Sequence, residues 1–333
     1  MHPAVLREIK TRLNLLFETD TDFFVKLRVG TDFTAFALGE NAYTRIADSD
    51  CTHQFFCIDG GNNTLFASTV FSLSTIRICA YGDAQNTVVH TFFLIVQQTE
   101  KQFELSLIPA DVTSETFLET VSYPKTISLS DAEFRAQSQK IELQTLVSFI
   151  RRLLELQLAK GYEFVLLDGS LESKYSLEQQ ILVDYYASQK RIIGVSKTSS
   201  MVTEHGIPAT LYFSRLAPKK QPWFVSGIVT SLNFEICFAK FVSAAKYIFR
   251  VDVPNYVDKN TVFSQIASHS SDVSFLGYPY GLIRADELAR VSEDELQFMR
   301  NRFLGSLDTL TRQQLEQIRT TNSAHSVLDS MKF

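Results

Sequence analysis

Apolar residues at Val5, Ile9, Leu13 and Leu16 fall along one face at helical spacing, which predicts a helix over residues 3–18. A polar stretch follows, and β-type patterning then takes over. His53–Asp59 (HQFFCID) is apolar and runs into Asp59-Gly60-Gly61-Asn62-Asn63, which reads as a turn. Thr64–Ala80 and Asn86–Gln97 are rich in Val, Ile, Phe and Thr and predict the next two strands of an antiparallel meander. Residues 99–130 are mixed and read as an excursion. A long helix is expected from about Asp131 to Lys160, closed by Gly161 as a left-handed cap. Tyr162–Leu167 (YEFVLL) is a continuous apolar run, the pattern of a strand buried on both faces. A helix at about Ser176–Gln189 leads to a second such strand, Arg191–Val195. Strands are expected at Trp223–Leu232, Phe234–Val242 and Lys246–Val253, then helices at about 258–269, 281–303 and 310–319, before a polar tail.

The order is three strands, a long helix, a strand, a helix and a further strand. An antiparallel set joined to a βαβα arrangement predicts an α/β, ribonuclease-H-like fold: a mixed sheet flanked by helices, with an insertion and C-terminal helices. The expected divisions are an N-terminal helical and extended segment over 1–50, a core domain over 51–290 with an insertion at about 99–130, and C-terminal helices and tail over 291–333. No repeat and no Pro/Gly-rich linker interrupts this plan. Composition changes the picture little: 45% hydrophobic and 21% charged residues among 333 is an ordinary globular balance. A formal net charge of -5 excludes a polycation but leaves room for a local basic groove. Cys51, Cys57, Cys79 and Cys237 form no CxxC pair, so a zinc ribbon lacks its spacing and reduced, buried thiols are expected. With neither a signal-peptide block nor an apolar span in view, no membrane association is expected and the cytoplasm is the expected compartment.

Two acidic residues stand at matching places, Asp59 and Asp168, each after an apolar run and before glycine. Carboxylates at the mouths of neighbouring buried strands would make a strongly negative pocket, relieved by a hard divalent cation such as Mn²⁺ or Mg²⁺. Two metals about 4 Å apart serve phosphodiester cleavage, with no side-chain nucleophile required. Alternatively each Asp-Gly only makes a turn. A third ligand is expected from the long helix. Glu142 shares a stripe with Leu146, Phe149 and Leu153, whereas Glu155 lies with Arg151 and Arg152 on what reads as the solvated face. The competing reading pairs Glu142 with Lys140. Lys197, just past a strand, either holds the scissile phosphate or is a surface lysine. Arg250 and Asp252 alternate onto one face, as a salt bridge or a phosphate contact. Asp286, early in a helix, either completes the cluster or favours the helix dipole. Neither HExxH, GxSxG, a P-loop nor GxGxxG occurs.

Phe55-Phe56-Cys57-Ile58-Asp59-Gly60-Gly61, Phe164-Val165-Leu166-Leu167-Asp168-Gly169-Ser170-Leu171, Ile193-Gly194-Val195-Ser196-Lys197-Thr198, Phe249-Arg250-Val251-Asp252 and Gly277-Tyr278-Pro279-Tyr280-Gly281-Leu282 resemble successive blocks of the NurA nuclease family, in family order. The resemblance implies a ribonuclease-H-like fold and Mn²⁺-dependent DNA hydrolysis, as a 5′-to-3′ exonuclease and single-strand endonuclease. It also implies a homodimer docked on a HerA-type hexameric translocase in double-strand-break repair. It makes Asp59 and Asp168 metal-binding aspartates, Glu142 the helix glutamate and Lys197 the lysine after the next strand. We assign Lys197, Arg250 and Tyr280 to DNA contact and Asp286 to the metal set. One departure stands out: family members often carry histidine near the last block, where this chain has Asp286. With the acidic balance, that departure motivates a rival from another class, a non-catalytic nuclease-like scaffold that binds DNA or caps an ATPase hexamer.

Overall fold

The computed structural model describes residues 3–18, 24–29, 32–37, 42–48, 54–134, 141–203, 206–231 and 233–317. In chain order the elements begin with α1 (Pro3–Glu18), β1 (Phe24–Val29), β2 (Asp32–Ala37) and β3 (Tyr43–Arg45). Next come β4 (Phe56–Ala67), β5 (Phe71–Tyr81), β6 (Thr87–Gln98), β7 (Gln102–Pro109), α2 (Val112–Thr120) and β8 (Thr126–Ser128). Then follow α3 (Leu143–Ala159), β9 (Phe164–Asp168), α4 (Ser176–Ala187), β10 (Arg191–Ser196) and α5 (Ala209–Leu216). The chain continues through β11 (Trp223–Thr230), β12 (Phe234–Lys240), β13 (Phe249–Pro254), α6 (Lys259–Ser268), α7 (Tyr280–Ala289) and α8 (Glu293–Ser306). Two compact units result. The first holds residues up to Phe55, Glu163–Glu172 and Tyr185–Ile283; the second holds Phe56–Tyr162, Ser173–Asp184 and the chain from Arg284 on.

In the first unit the strands run β3-β11-β12-β13-β10-β9. β9 and β10 are parallel and the remaining neighbours antiparallel, so this sheet is mixed. β1 and β2 form a separate antiparallel hairpin, in a region the sequence pattern left as a polar stretch. β9 and β10 form where the continuous apolar runs predicted them, and their central residues are fully buried. Trp223, Tyr212, Phe213 and Phe238 build the core around α5, a helix the sequence pattern did not reveal. The turn after β9 is fixed by two glycines. Gly169 takes φ +117°, and a Cβ on Gly194 would sit 2.7 Å from the Gly169 carbonyl oxygen.

A buried ion pair holds that turn from the far side. Arg250 donates from Nε to Asp252 Oδ1 at 2.8 Å, from Nη2 to Asp252 Oδ2 at 2.9 Å and from Nη1 to Glu172 Oε2 at 3.0 Å. Asp252 Oδ2 also accepts from the backbone N–H of Leu171 at 2.8 Å. Burial pushes the Asp252 carboxyl up, against the pull of Arg250 and the Leu171 N–H. The pair is charge-assisted and complete, which is how buried charges are tolerated.

The second unit is an antiparallel run β4-β5-β6-β7-β8, with α3 packed across β4 to β6, α2 against β6 and β7, and α8 against β4. Residues 99–130, read as an excursion, supply β7, α2 and β8. The expected turn at Asp59–Asn63 is not a turn: β4 runs straight through it to Ala67. The glycines serve contact instead of chain reversal. A Cβ on Gly60 would run into Glu155 Oε1 of α3, and one on Gly61 would lie 2.5 Å from the carbonyl oxygen of Ala289, at the end of α7. Successive residues of a strand face opposite sides, so helices cover both faces of β4 at this point.

Helix α3 begins at Leu143, not near Asp131; residues 131–134 form a turn, and 135–140, with Lys140, lie outside the described residues. Gly161 is not a left-handed cap, because α3 closes through Lys160 at φ -56° with the Gly161 N–H on the Leu158 carbonyl. The single helix expected over 281–303 is two, broken at 290–292, where Ser292 caps α8 by accepting from Glu295 N–H. The helix expected at 310–319 is described over 309–317, and the tail beyond lies outside the described residues. Cys57, Cys79 and Cys237 are buried, while Cys51 lies outside the described residues. Among the described residues no helix is long and apolar enough to cross a membrane.

Two outcomes test this account. Gly61→Ala presses a methyl on a backbone oxygen and should lower stability by about 1–3 kcal/mol, read from urea denaturation. Arg250→Met strands a buried carboxylate and should cost about 3–5 kcal/mol at neutral pH. Because the folded carboxyl of Asp252 then binds its proton more tightly than the unfolded one, the deficit should shrink as pH falls toward about 4. A pH-independent deficit would contradict it.

Candidate metal centre

In the second unit, Asp59 is the fourth residue of β4 and 8% exposed. It is therefore inside a strand, not at a strand end. The Gly60 N–H donates to Asp59 Oδ1 at 2.7 Å, fixing the carboxylate beside its own backbone. Alternation places its side chain on the face of β4 that Gly61 presents to the end of α7. Asp286, midway along α7, brings a carboxylate oxygen within 4.8 Å of one from Asp59. Arg290, one turn on, pairs with Asp286. Directly across the ladder from Asp59 stands Cys79. Burial, and then the Asp59 charge, push its thiol up to about 12 against the pull of Arg284. The thiol is thus protonated, and the Asp59–Asp286 pair offers hard oxygen donors.

The helix glutamate does not fall where the sequence placed it. Glu142 does not lie on the buried stripe of α3; it is the exposed residue that precedes the helix, with no side-chain capping bond. The stripe itself is correct, since Leu146, Phe149 and Leu153 are buried, but the helix starts one residue too late to include Glu142. Glu155 is not on a solvated face: it is 1% exposed. Arg151 pairs with it and also donates to the Gly60 carbonyl at 2.6 Å, and Arg152 lies 3.4 Å away. It packs against Gly60, on the face of β4 opposite to Asp59, and braces the strand there.

In the first unit, Asp168 closes β9 as expected, with its side chain 14% exposed. Lys197, which follows β10, sets its ammonium 2.6 Å from Asp168 Oδ2. Parallel register explains the meeting: Val195 stands opposite Asp168, so the chain leaves both strands at one edge. The hydroxyl of Tyr278 donates to Asp168 Oδ1 at 3.1 Å, and the Lys197 ammonium lies 5.3 Å from the Tyr278 ring centre. Tyr278 carries no role in the sequence pattern; its signal is a tyrosine in a Gly/Pro-rich stretch, and only its 1% exposure reveals a polar tip that needs a partner. Arg250, expected to contact DNA or to form a salt bridge, is engaged within the protein. It is 5% exposed and all three guanidinium nitrogens are bound to Asp252 and Glu172, so the salt-bridge reading holds. Tyr280 opens α7 and is 38% exposed.

Comparison with known proteins adds to this geometry. The family model described as the NurA domain matches residues 53–291, most of the chain. No curated protein sequence matches. Among solved structures, the NurA nuclease from Sulfolobus solfataricus superposes with a TM-score of 0.51 at 13% identity, over 92% of this chain and 97% of that one. Endonuclease V from Ciona intestinalis, in complex with inosine-containing DNA, covers 90% of this chain and 100% of its own at 14% identity, with a TM-score of 0.36. The catalytic domain of human endonuclease V covers 91% and 99% at 12% identity, with a TM-score of 0.31. The mixed β/α arrangement, the aspartates in β4 and β9 and the extent of the family match lead to one statement: this chain belongs to the NurA domain family.

Proposed function

We propose that this chain is a divalent-metal-dependent deoxyribonuclease, with Asp59, Asp286 and Asp168 holding the cation and Lys197 contacting the scissile phosphate. The observation that carries the reading is the carboxylate pair of Asp59 and Asp286 on one face of the second unit. Two such carboxylates repel each other strongly, and a hard cation relieves that repulsion. The family resemblance makes Asp168 a further metal-binding aspartate in this proposal, and carboxylate donors suit Mn²⁺ or Mg²⁺.

The bound cation would supply Lewis acidity toward a phosphodiester and activate water. The chain's own residues do the remaining work. Tyr278 fixes the Asp168 carboxylate by a hydrogen bond, and the half-exposed Lys197 turns from Asp168 to a phosphate oxygen as a point charge. Family membership favours DNA as substrate, Mn²⁺ as the metal, 5′-to-3′ exonuclease with single-strand endonuclease action, and a homodimer working with a HerA-type translocase. The buried cysteines accord with a reducing cytoplasm.

The test is cleavage of end-labelled single- and double-stranded DNA with Mn²⁺, Mg²⁺ or EDTA. Asp59→Asn and Asp168→Asn should each lower the rate by about 100-fold or more, and Lys197→Ala by about the same factor. Binding gives a second readout: Mn²⁺ at about 100 times its Kd should stabilise the wild type by about 2.7 kcal/mol and Asp59→Asn far less. Undiminished cleavage by either aspartate variant would overturn the mechanism.

A further inference from the structure

The first unit carries an aromatic series that starts in solvent and ends on Asp168. Tyr247, in the loop between β12 and β13, is 55% exposed, and Phe275, in the loop between α6 and α7, is 39% exposed. Their rings stack 5.1 Å apart, 15° from parallel. Phe275 meets Tyr278 edge-on at 5.8 Å, and the Tyr278 hydroxyl reaches Asp168. The two loops are locked together by Gly277, at φ +96°, where a Cβ would lie 2.5 Å from that of Ala245. The stack is therefore built before any ligand arrives.

Contiguous aromatic faces left open to water are the kind of surface that receives a binding partner. Basic groups border it: Lys246 precedes Tyr247 and is exposed, and Lys197 stands over Tyr278. The acidic group nearby in sequence, Asp272, is engaged with the N–H of Ser274. Flat aromatic faces beside lysines, continuous with a phosphate-directed site, are the chemistry that receives unpaired bases.

We propose that Tyr247 and Phe275 form a stacking platform for unpaired bases flanking the phosphate that Lys197 contacts, so that this protein engages single-stranded DNA through base faces as well as backbone charge. The proposal rests on the deoxyribonuclease reading, and the experiment separates the two.

Binding is measured in EDTA and cleavage in Mn²⁺, using oligothymidylate and an abasic oligonucleotide of equal length, with wild type, Tyr247→Ala and Tyr247→Trp. One stacked base contributes about 1–3 kcal/mol, so Tyr247→Ala should weaken oligothymidylate binding about 10-fold, the loss falling on KM rather than kcat. Affinity for the abasic strand should not change. Tyr247→Trp should restore binding, with its fluorescence quenched by oligothymidylate over the constant signal of Trp223, the one native tryptophan, 1% exposed. Equal binding of oligothymidylate by wild type and Tyr247→Ala overturns the platform and would assign the patch to another partner, whatever the cleavage result. Absent cleavage with Tyr247-dependent selection of the base-bearing strand would overturn the nuclease reading and leave the platform standing.

Discussion

Strand β4 has no side chain at two consecutive positions, and most of the second unit is arranged around that gap. Gly60 and Gly61 face opposite sides of the sheet, so α3 and the end of α7 each come closer to the backbone than a Cβ would permit. Close approach on one face puts Arg151 on the Gly60 carbonyl and Glu155 beneath it. On the other face it brings α7 near enough for Asp286 to meet Asp59. A glycine pair in mid-strand weakens β-structure by itself. Here long pairing with β5 over both sides of the gap, and the arginine on the exposed carbonyl, offset that weakness.

The first unit handles the same problem, fixing a carboxylate, by a different route. Asp168 sits at a strand end, where the backbone must turn sharply at Gly169. Turns drift unless their N–H groups are held, and the Leu171 N–H is held by Asp252, which Arg250 in turn neutralises. A charge buried in β13 thus governs the position of a charge at the end of β9, two strands away across β10.

How much of this was legible in the sequence varied with the range of the interaction. The placing of Asp168 and Lys197 was legible, because parallel strands buried on both faces write themselves as unbroken apolar runs and the Asp-Gly step marks the exit. Asp59 was singled out by the sequence with the wrong local structure. Asp-Gly-Gly-Asn-Asn is turn-like taken alone, and only the approach of residues 155 and 289 explains glycine there. Glu142 was placed by extending a correct stripe through a helix start that lies further on. Glu155, with arginines as sequence neighbours, looked solvated because a helical wheel cannot show that a carboxylate and its partners are buried together. Tyr278 gains its role from a hydrogen bond across 110 residues, which no local pattern encodes.

Lys197 and Arg250 present two kinds of counter-ion within one unit. Arg250 is fixed: 5% exposed, with every nitrogen engaged. Lys197 is tethered: its side chain is 44% exposed, a single ammonium at the end of a flexible stem. Removing the first exposes a buried charge, whereas swinging the second away only trades one partly hydrated contact for another. The unit therefore keeps its shape whether or not Asp168 has a visitor, and the cost of preparing the carboxylate falls on folding instead of on binding.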